Sequence, residues 1–144
     1  MITERQFAPN LFQHCATISK GPPGAGTFLA YYTGDAEMHQ TQHVRIHWWN
    51  EEGTEADPVD FGDYSGNPVL LETLEGTRII YSKFEKLVPN RIEWWQHCSL
   101  WSRALDVVWS HGKPKISVGA PKQIIFDEPG SDKPPLGLGY LGRC

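Results

Sequence analysis

Residues 89–114, PNRIEWWQHCSLWSRALDVVWSHGKP, constrain the fold more than any other stretch, because they hold four of the six tryptophans. Asn90 is an N-cap residue type, with Glu93 three positions on as in a capping box. Gly112 stands where a helix wants a left-handed residue after its last turn, and Pro114 blocks continuation. At about 100° per residue, Trp94, Cys98, Trp101, Leu105, Val108 and Trp109 fall on one face. About 20 residues make a rod of roughly 30 Å, enough to cross a small domain. The opposite side carries Gln96, Ser99, Arg103 and Ser110, but also Ile92, Leu100 and Val107. The pattern predicts one long helix with a core-facing stripe and a second contact face, toward another subunit.

The remaining segments read mostly as strands. Residues 10–21 are the exception: Asn10 and Gln13 open a short capped helix that Gly21 and Pro22 close. Phe28–Thr33 and His43–Trp49 read as strands, the second with Val44, Ile46 and Trp48 alternating against His43, Arg45, His47 and Trp49. An irregular acidic loop follows over roughly residues 50–67. Val69–Leu74 and Thr77–Phe84 flank Glu75-Gly76 as a hairpin. Ile116–Val118 and Gln123–Phe126 are two short closing strands. The fold class expected is α+β, an antiparallel and curved sheet with the long helix packed across it and a short N-terminal helix. Residues 1–126 form the domain, and 127–144 form an extended Pro/Gly-rich arm. RIHWWN (45–50) and RIEWWQ (91–96) look alike, but their flanks differ, so one is read as strand and the other as helix.

A chain of 144 residues fits one domain with a real core. A net charge of −4 argues against attraction to nucleic-acid phosphates. MITERQFAPN is not a signal peptide, and no apolar run is long enough to span a membrane. Cys15, Cys98 and Cys144 are an odd set without metal-type spacing, which suggests a reducing compartment and no disulfide framework. The expected location is the cytoplasm or an intracellular particle.

Motifs for chemistry are weak. GPPGAGT (21–27) resembles the opening of a phosphate-binding P-loop, but Thr27 and Phe28 stand where lysine and Ser/Thr are required. The loop also precedes a strand, where the motif needs a helix, so it reads as a turn. His39, His43 and His47 share a strand face, but neighbours lie roughly 13 Å apart, too far for one ion. They leave a polar face that gains charge near pH 6. Gln13-His14-Cys15 and Gln96-His97-Cys98 point adjacent ligands about 100° apart on a helix, poor geometry for zinc. Glu51, Glu52, Glu55, Asp57, Asp60 and Asp63 form an acidic cluster without the EF-hand spacing, and solvated loop or docking patch are its two readings. No metal and no cofactor is assigned.

The expected function is a non-enzymatic structural subunit of an oligomer or larger particle, working through protein–protein interaction. Virion tail and neck components offer an analogy at fold level only. The arm is the expected inter-subunit clasp, and its interface residues are Ile92, Leu100, Val107, Leu136, Leu138 and Tyr140. Partners are other protein subunits, with no direct nucleic acid and no membrane. One alternative is a small enzyme or binder of an aromatic or apolar molecule, in a cavity lined by Tyr31, Trp48, Trp94 and Trp101 with His47 and Glu93 near its mouth. The other is an adaptor that docks a basic protein on the acidic loop.

Overall fold

The computed structural model describes residues 12–35, 41–62, 64–84 and 98–124. Among them there is no helix. The elements are β1 (Phe12–Lys20), β2 (Thr27–Gly34), β3 (His43–Trp49), β4 (Val59–Asp60), β5 (Ser65–Thr73), β6 (Gly76–Phe84), β7 (Cys98–Ser110), β8 (Lys113–Val118) and β9 (Lys122–Ile124). One antiparallel sheet runs β1-β2-β3-β4, and a second runs β5-β6-β7-β8 with β9 also on β7. The α+β expectation is therefore corrected: the described protein is all-β, built from two sheets.

The long helix expected over residues 89–114 is replaced, in its described part, by strands. Residues 98–110 form a strand of 13 residues, paired with β6 on one edge and with β8 and β9 on the other. Trp101, Leu105, Val107 and Trp109 stand at every second position or a multiple of it, a strand period that also satisfies the helical stripe in part. Arg103 interrupts the alternation with a charge, which hides it. The stop signal misled for a related reason. His111 and Gly112 have φ of 51° and 74° and connect Ser110 to its partner Lys113. A two-residue hairpin turn of the primed type and a helix C-terminus both require positive φ, so glycine marks either. Residues 89–97, including the cap residues Asn90 and Glu93, lie outside the described residues, as does the second copy of the RIHWWN-like sequence.

The short helix at 10–21 is likewise corrected to a strand, β1. Its register against β2 shifts between His14 and Thr17, and Cys15 has a φ of 52°. An extra residue at a bulge throws the apolar positions out of period two and leaves helix-like spacing. The other strand readings fall on strands. In β3, Val44, Ile46 and Trp48 are buried while His43, Arg45 and His47 are half-buried, as the alternation requires. The β5–β6 turn centres on Leu74-Glu75, one residue earlier than expected, with Gly76 at a φ of 114° opening β6.

The two sheets share one core. Phe28, Ala30, Tyr32, Val44, Ile46 and Trp48 from the first pack against Leu70, Ile79, Tyr81, Leu105 and Ile116 from the second. Their edges meet at two seams. Thr17 Oγ1 accepts from Leu70 N at 3.3 Å, and Ser19 Oγ donates to Glu72 Oε1, joining β1 to β5. On the far side Asp57 bridges Lys115 of β8, and Tyr64 joins the sheets by donating its N–H to Gln42 O at 2.8 Å and accepting from Phe84 N at 2.7 Å. Each seam occupies backbone groups that an open edge would leave bare.

Cys15 is disulfide-bonded, against the expectation of no disulfide framework. The arm at 127–144 lies outside the described residues.

Candidate functional site

The sheets part at one end, and a groove of about 500 Å³ opens there. That volume lies within the roughly 300–1,000 Å³ usual for small-molecule sites. Three pieces of local structure build it. The first is the β1–β2 loop, GPPGAG. Gly21 N donates to Gly26 O at 3.1 Å and Ala25 N to Pro22 O at 2.9 Å, which folds the loop tightly over the sheet end. Gly26 has a φ of 80°, and a Cβ there would stand 2.5 Å from the Trp48 indole. The glycine thus lets the loop lie directly on the ring, and Trp48 Nε1 donates to Ala25 O at 3.0 Å. The P-loop-like glycines serve a hairpin that seats a tryptophan.

The second piece is the end of β7. Trp109 faces the same side as Leu105 and meets Trp48 edge to face, with centroids 6.3 Å apart at 86°. That is a favoured aromatic geometry. Trp48 is only 3 % exposed, whereas Trp109 is 55 % exposed, so one ring anchors and the other is offered to solvent. The third piece is Glu72 at the end of β5. Its Oε1 accepts from the hydroxyls of Ser19 and Thr77, the latter at 2.8 Å. Asn50 also lines the groove, and its backbone and side chain hold the turn to Thr54. Three lining residues, Glu72, Glu75 and Asp106, are carboxylates against one arginine, Arg78, which disfavours an anionic ligand.

The aromatic cavity expected from the sequence is dispersed. Trp48 lies on the inner face of β3, and His47 lies on the outer face with Tyr31. Those two rings stack at 14° with centroids 5.6 Å apart, and the Tyr31 hydroxyl lies 3.0 Å from His47 Nε2. Burial pushes the His47 pKa down and the Tyr31 pKa up. Trp101 belongs to a second, smaller cavity at the opposite end of the sheets. Trp94 and Glu93 lie outside the described residues.

The acidic cluster is split too. Glu51 and Glu52 project from the exposed turn after β3, and Glu51 lies 3.8 Å from Lys20 Nζ. Glu55 and Asp57 take part in bridges to Trp49 and Lys115. Asp60 is in β4, where Arg45 donates to both its oxygens at 2.6 and 2.7 Å. That bidentate bond holds the Asp60 pKa below the usual carboxylate range. His43 Nε2 is 3.7 Å from the same carboxylate, while its Nδ1 donates to Thr41 O at 2.7 Å. Asp63 and His39 lie outside the described residues. Among the described residues no three His, Cys, Asp or Glu side chains come together to hold a metal ion.

Of the interface residues, Leu100 is 4 % exposed and Val107 packs against the core. Ile92, Leu136, Leu138 and Tyr140 lie outside the described residues. Trp109 and Glu72, which build the groove, were not among the site residues expected. Trp109 could have been found from the strand period: it ends a run of inward positions beside a turn, where an aromatic is half in water.

No protein-family model, no curated protein and no solved structure matches the chain.

Proposed function

We propose that this chain is a non-enzymatic binding domain that takes an uncharged, polyhydroxylated ring compound, a saccharide, into the groove between Trp48 and Trp109. The observation that carries the reading is an exposed indole seated on a buried one, beside a carboxylate fixed by two hydroxyls. A sugar ring has one apolar C–H face, which packs on an indole, and a rim of hydroxyls, which donate to Glu72. The three carboxylates at the groove favour such a donor over an anion. A glycan array probed with the full chain, followed by calorimetry on any hit, tests this. The expected result is a neutral glycan whose affinity falls about tenfold or more in Trp109→Ala, the loss typical of a central aromatic contact. If no glycan binds, or Trp109→Ala binds as the parent does, the reading fails.

A second reading, self-association, has its own observation. Ile18, Leu71 and Leu74 are exposed apolar side chains around the seam of β1 with β5 and the β5–β6 turn, and Leu74 is fully exposed. An apolar patch of this kind is a common mark of a protein contact. Native mass spectrometry of the full chain decides it. A discrete oligomer that dissociates in Leu71→Ser/Leu74→Ser supports an assembly role, and a monomer at all concentrations removes it.

A further inference from the structure

The second cavity lies at the other end of the sheets and has the opposite character. It measures about 270 Å³ and is lined by Phe61, Tyr81, Lys83, Trp101 and Arg103, with Pro121 at its border. Tyr81 and Lys83 occupy alternate positions of β6, and Trp101 and Arg103 alternate positions of β7, so all four point to the same side. Arg103 is placed by three residues, Gly119, Phe61 and Tyr81. Its Nε donates to Gly119 O at 2.7 Å, and its guanidinium carbon stands 5.1 Å from the Phe61 ring centre. Lys83 Nζ stands 5.7 Å from the Trp101 ring centre, and Trp101 Nε1 donates to Ser99 Oγ at 2.7 Å.

Two cations thus rest on aromatic faces in one cavity. Among the described residues, neither Arg103 nor Lys83 has a carboxylate within ion-pair distance. Arginine has five N–H donors; the bond to Gly119 uses the Nε–H and a terminal N–H reaches the Tyr81 hydroxyl, which leaves further terminal N–H groups for a ligand. Burial raises the Tyr81 pKa, so its hydroxyl stays protonated and able to donate. The charged and donor groups therefore call for an acceptor with negative charge, and the walls call for a flat ring. A volume slightly under the roughly 300 Å³ lower bound for drug-sized ligands limits the occupant to about one ring system.

We infer that the cavity formed by Phe61, Tyr81, Lys83, Trp101 and Arg103 binds a small aromatic monocarboxylate. The carboxylate takes hydrogen bonds from the terminal nitrogens of Arg103, Lys83 supplies the second positive charge, and the ring packs against Trp101. This site is independent of the Trp48–Trp109 groove, and the two stand or fall separately.

Isothermal titration of the full chain with benzoate and with benzamide, its uncharged counterpart of equal shape, is the test. Benzoate binds at least about tenfold more tightly than benzamide, the ratio expected of hydrogen bonds to a charged group. Arg103→Gln removes benzoate binding. Lys83→Gln weakens it about threefold, as suits a more exposed charge. Trp109→Ala leaves it unchanged. Arg103 also ties β7 to the chain before β9, so Arg103→Gln could lose the fold. Lys83 is exposed, and among the described residues its side chain makes no hydrogen bond or ion pair that holds the fold, so it carries the test if that happens. Equal binding of benzoate and benzamide, binding of neither at tens of millimolar, or a Lys83→Gln protein indistinguishable from the parent each overturns the inference.

Discussion

Gly26 shows how one residue can decide whether the groove exists. Its backbone is in the left-handed region, and its α-carbon lies against the ring of a buried tryptophan. Gly26→Ala therefore meets two costs, the unfavourable φ and a collision with Trp48. Together they come to about 2–4 kcal/mol, seen as a lower midpoint in urea denaturation. His47 carries a different consequence. Burial disfavours its charged form, so its folded pKa lies below the ordinary value of about 6.5. The stability that comes from neutral His47 is fully present above that value. It is lost as pH falls from the unfolded pKa to the folded one. Asp60 also titrates low, but from an ordinary carboxylate value near 4, so its loss comes at a lower pH and does not overlap. The melting temperature is expected to fall between pH 7 and pH 5, and His47→Gln to flatten that fall. A parent and variant with parallel profiles would show that His47 is not the group responsible.

Strands and turns explain what could and could not be read from the chain. The alternation in β3 is regular and evident from period two, while β2, β5 and β6 read as strands from their strand-forming residues and the Glu75-Gly76 turn, with residues 65–67 of β5 falling in the acidic loop. β1 and β7 do not, and in each case a single local feature hides them. In β1 it is the bulge at Cys15, and in β7 it is Arg103 at an inward position. A lone charge in a run of inward apolar residues looks like the polar side of a helix until its partner is known, and Phe61 is forty-two positions away. The groove was out of reach for the same reason. It joins the β1–β2 loop, the end of β5 and the end of β7, and only the pairing of strands brings them together. The β7–β8 turn offers a direct check. At His111-Gly112 both residues have positive φ, a geometry that asparagine accepts better than histidine at the first position. His111→Asn is expected to stabilise the protein by about 0.5 kcal/mol, measured by thermal or urea unfolding. A loss of stability would argue against this turn.

Across the whole molecule, the two ends of one core are chemically unlike. Carboxylates and an exposed tryptophan mark one, and cations resting on aromatic rings mark the other. Both depend on β7, whose 13 residues extend roughly 40 Å and carry Trp101 and Arg103 at one end and Trp109 at the other. If the segment were a helix, neither cavity would form. Nuclear Overhauser measurements on isotope-labelled full-length protein therefore decide most. Contacts are expected between the Trp48 and Trp109 indole protons, and between the backbones of the paired residues Val107 and Ile116. Contacts between residues three apart through 98–110, with neither of those cross-strand signals, would contradict the strand and both sites built on it.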